Sequence, residues 1–159
     1  NKGDKMYKRI FVPVDGSSTS TLGLKEALRL AKQHRAKLCL FHAVDELFVA
    51  AAAEGMVLPD EVFASLREAG RKILAKSAAL ARRNGVQART LLVETIAGPA
   101  ADAIVREAKK WKADLIVMGT HGRRGVRRLV MGSDAERVLR ETPVPVLLVR
   151  GRAKARARA

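Results

Sequence analysis

A chain of 159 residues is long enough for one ordinary domain with its own core. Its 48% apolar and 30% charged residues make a globular rather than a disordered composition, and no apolar run approaches the roughly 20 residues needed to span a bilayer. A single cysteine, Cys39, excludes an internal disulfide, and a formal net charge of +15 attracts polyanions.

Residues 1–6 read as a disordered start or an expression remnant, with Met6 a candidate native start. The opening stretch lacks the long apolar core and small-residue cleavage site of a secretory signal, so cytoplasmic residence is expected. "YKRIFVPVD" (7–15) is the first β-rich apolar run. "GSSTSTLGLKEALRLAKQH" follows as a helix, with Ser17 or Ser18 as cap and Leu24, Leu28 and Ala31 at helical spacing. "AKLCLFHAV" (36–44) is the second strand, and it encloses Cys39 as a buried, inert thiol. After an irregular segment, residues 61–85 keep helical period and stop at Asn84-Gly85. A strand (86–95), a helix with Pro99 near its start (98–112), a strand (113–120), a helix (133–142) and a last strand "VPVLLV" (144–149) complete the chain. The tail "RGRAKARARA" has five basic groups, no acidic one and little to bury; it reads as disordered. It is either a solvated tail or a weak contact for nucleic acid or an acidic surface.

Strands alternate with helices, and several strands are continuous apolar runs. Both features predict an open α/β parallel sheet with right-handed crossovers, its strands covered on both faces. Ligands of such sheets lie beyond the carboxyl ends of the strands, where strand order reverses. The loop after Gly119, "GTHGRRGVRRLVMGS", is rich in glycines expected to turn with positive φ and approach a ligand closely. It ends at Gly132-Ser133, where free helix N–H groups and the dipole favour an anion. Read from residues alone, this is a phosphate cradle or a plain strand–helix linker. It has neither the Lys-Ser/Thr ending of a P-loop nor the dinucleotide fingerprint. Asp15 is a ligand contact or a helix cap. His121 is a phosphate or ribose donor or a solvent-facing residue; His34, His42 and Trp111 read as structural. Of Arg123, Arg124, Arg127 and Arg128, one or two are expected to face phosphate. No His/Cys cluster has metal-ligand spacing.

The same loop fits G-x2-G-x9-G-[ST], with Gly119, Gly122, Gly132 and Ser133 at the fixed places. In this it resembles the nucleotide-binding branch of the universal stress protein family. "KRIFVPVDGS" and "PVPVLLVR" resemble the same family, and the likeness covers about residues 7–150. The resemblance implies a Rossmann-like, five-stranded parallel sheet in the order 3-2-1-4-5. It also implies a homodimer formed through the C-terminal strand, where an apolar open edge is a liability unless paired. Carried over residue by residue, Asp15 and the backbone of Ala43 flank the adenine, and Pro13 and Val14 form the adjoining wall. Met118, Gly119, His121 and Gly122 line the ribose and α-phosphate. Gly132, Ser133, Asp134 and Ala135 meet the outer phosphates. Asp134 departs from the branch, which usually has a small or apolar residue there; a Mg²⁺ ion bridging this carboxylate and the phosphates would reconcile the two.

The expected function is that of a cytoplasmic ATP-binding stress-response sensor or regulator, with Mg²⁺ accompanying ATP. The pocket supplies no evident general base or placed metal ligands for phosphoryl transfer. An enzyme with slow ATPase or nucleotidyl-transfer activity is the alternative, as is weak, non-specific nucleic-acid binding. With 4% aromatic residues, stacking on single strands is unpromising.

Overall fold

The computed structural model describes residues 6–45, 58–95, 98–120 and 131–151. They form β1 (Arg9–Pro13), α1 (Ser18–His34), β2 (Lys37–Asp45), α2 (Asp60–Arg83), β3 (Ala88–Thr95), α3 (Ala100–Lys110), β4 (Leu115–Gly119), α4 (Ser133–Glu141) and β5 (Val146–Val149). Every strand pair is parallel, and the spatial order is β3-β2-β1-β4-β5. The order reverses between β1 and β4, so a crevice opens beyond their carboxyl ends.

Alternation along each strand splits the core into two layers. Ile10, Val12, Leu38, Leu40, Leu115 and Val117 face Leu24, Leu28 and Ala31 of α1 and Leu74 and Ala81 of α2. Phe11, Cys39, Phe41, Ile116 and Met118 face Ala101, Ile104 and Ala108 of α3 and Ala135 and Val138 of α4. Burial on both faces explains why β1, β2 and β4 read as unbroken apolar runs rather than alternating ones. The four residues of β5 are all only partly buried, because this strand closes the sheet on one side.

Local chemistry sets the element ends. Ser17 caps α1, its Oγ accepting from Ser20 N–H at 3.1 Å. Helix α2 ends at Asn84, followed by Gly85 at φ +71°, as the Asn-Gly stop predicts. Helix α3 is shorter than residues 98–112, because Gly98 sits at φ +100° and Lys112 at φ +55°, neither helical. Strand β3 starts at Ala88 rather than residue 86. Trp111 and His34 are packing residues: Trp111 lies 6.4 Å from Phe11 and His34 meets Tyr7 edge-on at 5.4 Å, centroid to centroid. Burial pushes the Cys39 thiol up to about 11, which makes it a poor nucleophile.

Candidate functional site

The crevice is built on the first turn of α1. Residues Pro13, Val14 and Asp15 leave β1 beside β2, and Val14 N–H donates to Phe41 O at 2.8 Å. The loop is then held at three points. Asp15 N–H donates to Ser20 Oγ at 3.1 Å, while the Asp15 carboxylate accepts from Ser17 N–H at 2.9 Å. This is an Asx-type turn, so the carboxylate organises the loop entering α1 while Ser17 does the capping. The third point lies beneath the loop, where buried His42 sets Nδ1 2.7 Å from Val14 O. That distance requires the Nδ1–H form, since a carbonyl can only accept.

Gly119, at the end of β4, meets the same turn from the other side. A Cβ there would lie 2.8 Å from Thr19 C, 2.9 Å from Thr19 O and 3.1 Å from Ser20 N. Across the contact, a Cβ on Gly23 would lie 3.2 Å from Gly119 N. Two glycines therefore let α1 settle directly onto the end of β4. This corrects the expectation that Gly119 and Gly132 are needed for positive φ: Gly119 is not in that region, and Gly132 has φ −64° and ψ 149°. Gly119 is required for close backbone approach, and Gly132 occupies an extended N-cap conformation open to any residue.

The base of the glycine-rich loop is pinned. Thr120 N–H donates to Val149 O at 3.0 Å, and Gly132 N–H donates to Thr120 O at 2.8 Å. The start of α4 is thereby carried to within one hydrogen bond of β4. No side chain caps α4 at Gly132. Ser133 is exposed, Asp134 partly buried and Ala135 buried, its side chain in the core layer beneath α3 and α4. Asp134 and Glu136 both lie in the first turn, where they complement the helix dipole. Arg137 ties this helix to α3 through Asp102 at 2.8 Å. His121, Gly122 and the four loop arginines lie outside the described residues.

Pro13, Val14, Asp15, Gly119, Gly132, Ser133 and Asp134 are thus linked in one connected structure around the β1/β4 reversal, with Met118 one residue back on β4. Ala43 lies one strand away on β2, paired with Val93, two residues beyond the Phe41 that holds Val14. Sequence reasoning missed Ser20 and Gly23 and read His42 only as structural. The spacing Asp15-x4-Ser20 is the signal for Ser20; nothing local points to the other two. The arrangement can bind an anion at the start of α4, whose N-cap is a glycine, and a flat group beside the Asp15 loop. Among the described residues, no group of three or more His, Cys, Asp or Glu is placed to hold a metal ion.

Comparison with known proteins shows the family and the fold. Residues 6–150 match the model of the universal stress protein family. A universal stress protein of Methanocaldococcus jannaschii, MJ0531, is 40% identical over 149 residues, which cover 93% of this chain and 85% of that one. The solved structure of another protein of that organism, MJ0577, superposes with a TM-score of 0.79 at 25% identity, covering 94% of this chain and 99% of the other. A universal stress protein solved in complex with cAMP superposes with a TM-score of 0.63 at 26% identity, covering 91% and 97%.

Proposed function

Because the chain belongs to the universal stress protein family, we propose that its crevice binds an adenine nucleotide, ATP with Mg²⁺ in particular, and that the bound nucleotide sets its state as a stress-response sensor or regulator. The observation that carries this reading is the α4 N-terminus. Among the described residues it has no side-chain cap at Gly132, and it is drawn by the Gly132–Thr120 hydrogen bond to the end of β4, across the strand reversal from Asp15. The N–H groups of a helix start are donors that a phosphate satisfies. The relative solved with cAMP supports adenine nucleotide as the ligand class.

In this reading Asp15 and the Ala43 backbone flank the adenine, with Pro13 and Val14 as wall. Met118, Gly119, His121 and Gly122 line the ribose and first phosphate. Gly132, Ser133, Asp134 and Ala135 take the outer phosphates, the backbone donating and Ser133 adding a hydroxyl. Asp134 and Glu136 place two carboxylates beside that anion, and like charges at close range repel. Asp134 would hold a Mg²⁺ ion accompanying the nucleotide, whose positive charge would offset the conflict. The folded domain is residues 7–150, and two chains pair through β5 in the cytoplasm.

The test is mass spectrometry of nucleotide released on denaturing the purified protein, with calorimetric titration of ATP, AMP and cAMP in the presence and absence of Mg²⁺. ATP should bind with Mg²⁺, and Gly132→Val should abolish binding while leaving the fold intact, because the backbone there is extended. Undiminished ATP affinity in Gly132→Val overturns the cradle.

A further inference from the structure

At the opposite end of the sheet the parallel register brings cations together that are far apart in sequence. Arg9 and Lys37 are direct partners on neighbouring strands, and Arg89 pairs with Cys39, one strand further and two residues along. All three are exposed, and their odd numbering puts them on the face carrying Phe11, Cys39 and Leu91, the one covered by α3. Helix α3 delivers Lys109 and Lys110 in its last turn and Lys112 just beyond, all exposed. The two groups are joined physically: Arg9 donates to Trp111 O at 2.8 Å and lies 5.7 Å over the Trp111 ring. Among the described residues, two carboxylates share the region. Asp114 is occupied by the Lys8 and Arg9 N–H groups, and Glu107, almost buried, pairs with Arg106 at 3.0 Å and Lys110 at 3.9 Å.

Helix dipoles account for Lys109 and Lys110. They do not account for Arg9 and Lys37, which open β1 and β2, or for Arg89, the second residue of β3. Arg9 is tied to Trp111, but Lys37 lies directly opposite it on the adjacent strand, where like charges repel, so the Arg9–Lys37 pairing itself costs the fold stability. Strand spacing of about 4.8 Å separates Arg9 from Lys37, and Arg89 stands one strand and about 6.6 Å of strand rise further on, distances on the scale of phosphate spacing in a nucleic-acid backbone.

We infer that the amino end of the sheet, from Arg9, Lys37 and Arg89 to the last turn of α3, is a docking surface for the phosphate backbone of double-stranded nucleic acid. It reads no sequence. The aromatic groups here, Tyr7 and Trp111, are engaged with His34 and Phe11, which leaves phosphate contact as the mode of recognition. The surface lies at the opposite end of the strands from the nucleotide crevice and away from the β5 edge. The inference therefore stands apart from the proposed function, and both sites can be filled at once.

The test is fluorescence anisotropy of a labelled, mixed-sequence DNA duplex titrated with the full chain at several salt concentrations. Three variants are compared: Lys37→Glu/Arg89→Glu on the strands, Lys109→Gln/Lys110→Gln on α3, and Lys72→Glu/Lys76→Glu on α2. The last matches the first in charge change but lies on the other face. Each phosphate that is no longer neutralised lowers the salt slope by about 0.9. The first two variants should each lose about 2 in slope and roughly tenfold or more in affinity at about 0.1 M salt. The α2 variant should keep the parental slope. Equal losses in all three would mean bulk charge alone attracts the duplex, and unchanged binding in the first two would assign it to another segment, the basic tail included. Binding to vesicles of anionic lipid with the same residue dependence, but not to the duplex, would make the surface a membrane contact. Each of these outcomes overturns the inference. Circular dichroism melts confirm that each variant is folded.

Discussion

Replacing Gly119 with alanine tests how α1 is seated. The new Cβ would sit 2.8 Å from Thr19 C, where carbon atoms ordinarily approach to about 3.5–4.0 Å. All three nearest atoms belong to the α1 backbone, so no rotamer change relieves the clash. The first turn of α1 must lift by the better part of an ångström. Overpacking of this kind costs about 1–3 kcal/mol. Losing glycine's freedom in the unfolded chain returns about 0.4–1 kcal/mol. The overpacking wins, with a net destabilisation of about 0.5–2 kcal/mol. For a chain of this size that is a fall in Tm of about 1–8 °C. The same displacement pulls Ser20 Oγ away from Asp15 N–H, so nucleotide affinity should fall together with stability. Gly132→Ala is the internal control: its φ of −64° suits alanine, and the Tm should change far less. Differential scanning calorimetry with nucleotide titration on both variants reads the contrast. A Gly119→Ala protein that melts with the parent and binds nucleotide equally well would refute the close-approach argument.

Other outcomes follow from single contacts. Ser17→Ala removes the α1 cap and should cost about 1 kcal/mol by chemical denaturation, whereas Ser17→Asp should retain most of it. His42→Leu deprives the buried Val14 carbonyl of its donor and should cost about 1–3 kcal/mol, with His42→Asn, which keeps an N–H, partly restoring stability. Cys39 has its pKa raised by burial, so the unfolded chain loses this proton first as pH rises. The stability it confers is intact below about 9.0 and falls between there and about 11, and Cys39→Ala should show a shallower loss over that window. Asp134→Ala should weaken the Mg²⁺ dependence of ATP binding and improve metal-free ATP binding, with AMP nearly unchanged; identical metal dependence in variant and parent would leave Asp134 as a helix-terminus residue alone.

What could be read from the sequence is what short-range chemistry controls. The apolar runs marked the strands, because residues buried on both faces of a parallel sheet have no polar positions to alternate with. Ser17, Asn84 and Gly85 marked helix ends, because orphan N–H and C=O groups demand local partners and a left-handed position demands glycine. The alternation of strands and helices led to the layered class, and resemblance supplied the strand order found here. Tertiary structure alone decided the rest. Gly119 is needed for the α1 backbone that lies against it, a neighbour set by packing and 100 residues away in the chain; its own dihedral makes no such demand. His42 became the support of Val14 because β1 and β2 pair in one register, and Gly70 of α2 leaves the imidazole room, since a Cβ there would lie 2.7 Å from the ring. Nothing local relates Arg9, Lys37 and Arg89; the same register puts Lys37 opposite Arg9 and Arg89 one strand and two residues further on. Periodicity and capping act over a few residues, so one chain displays them; the meeting of residues from different strands depends on which edges pair and in what register, and the packed core selects that.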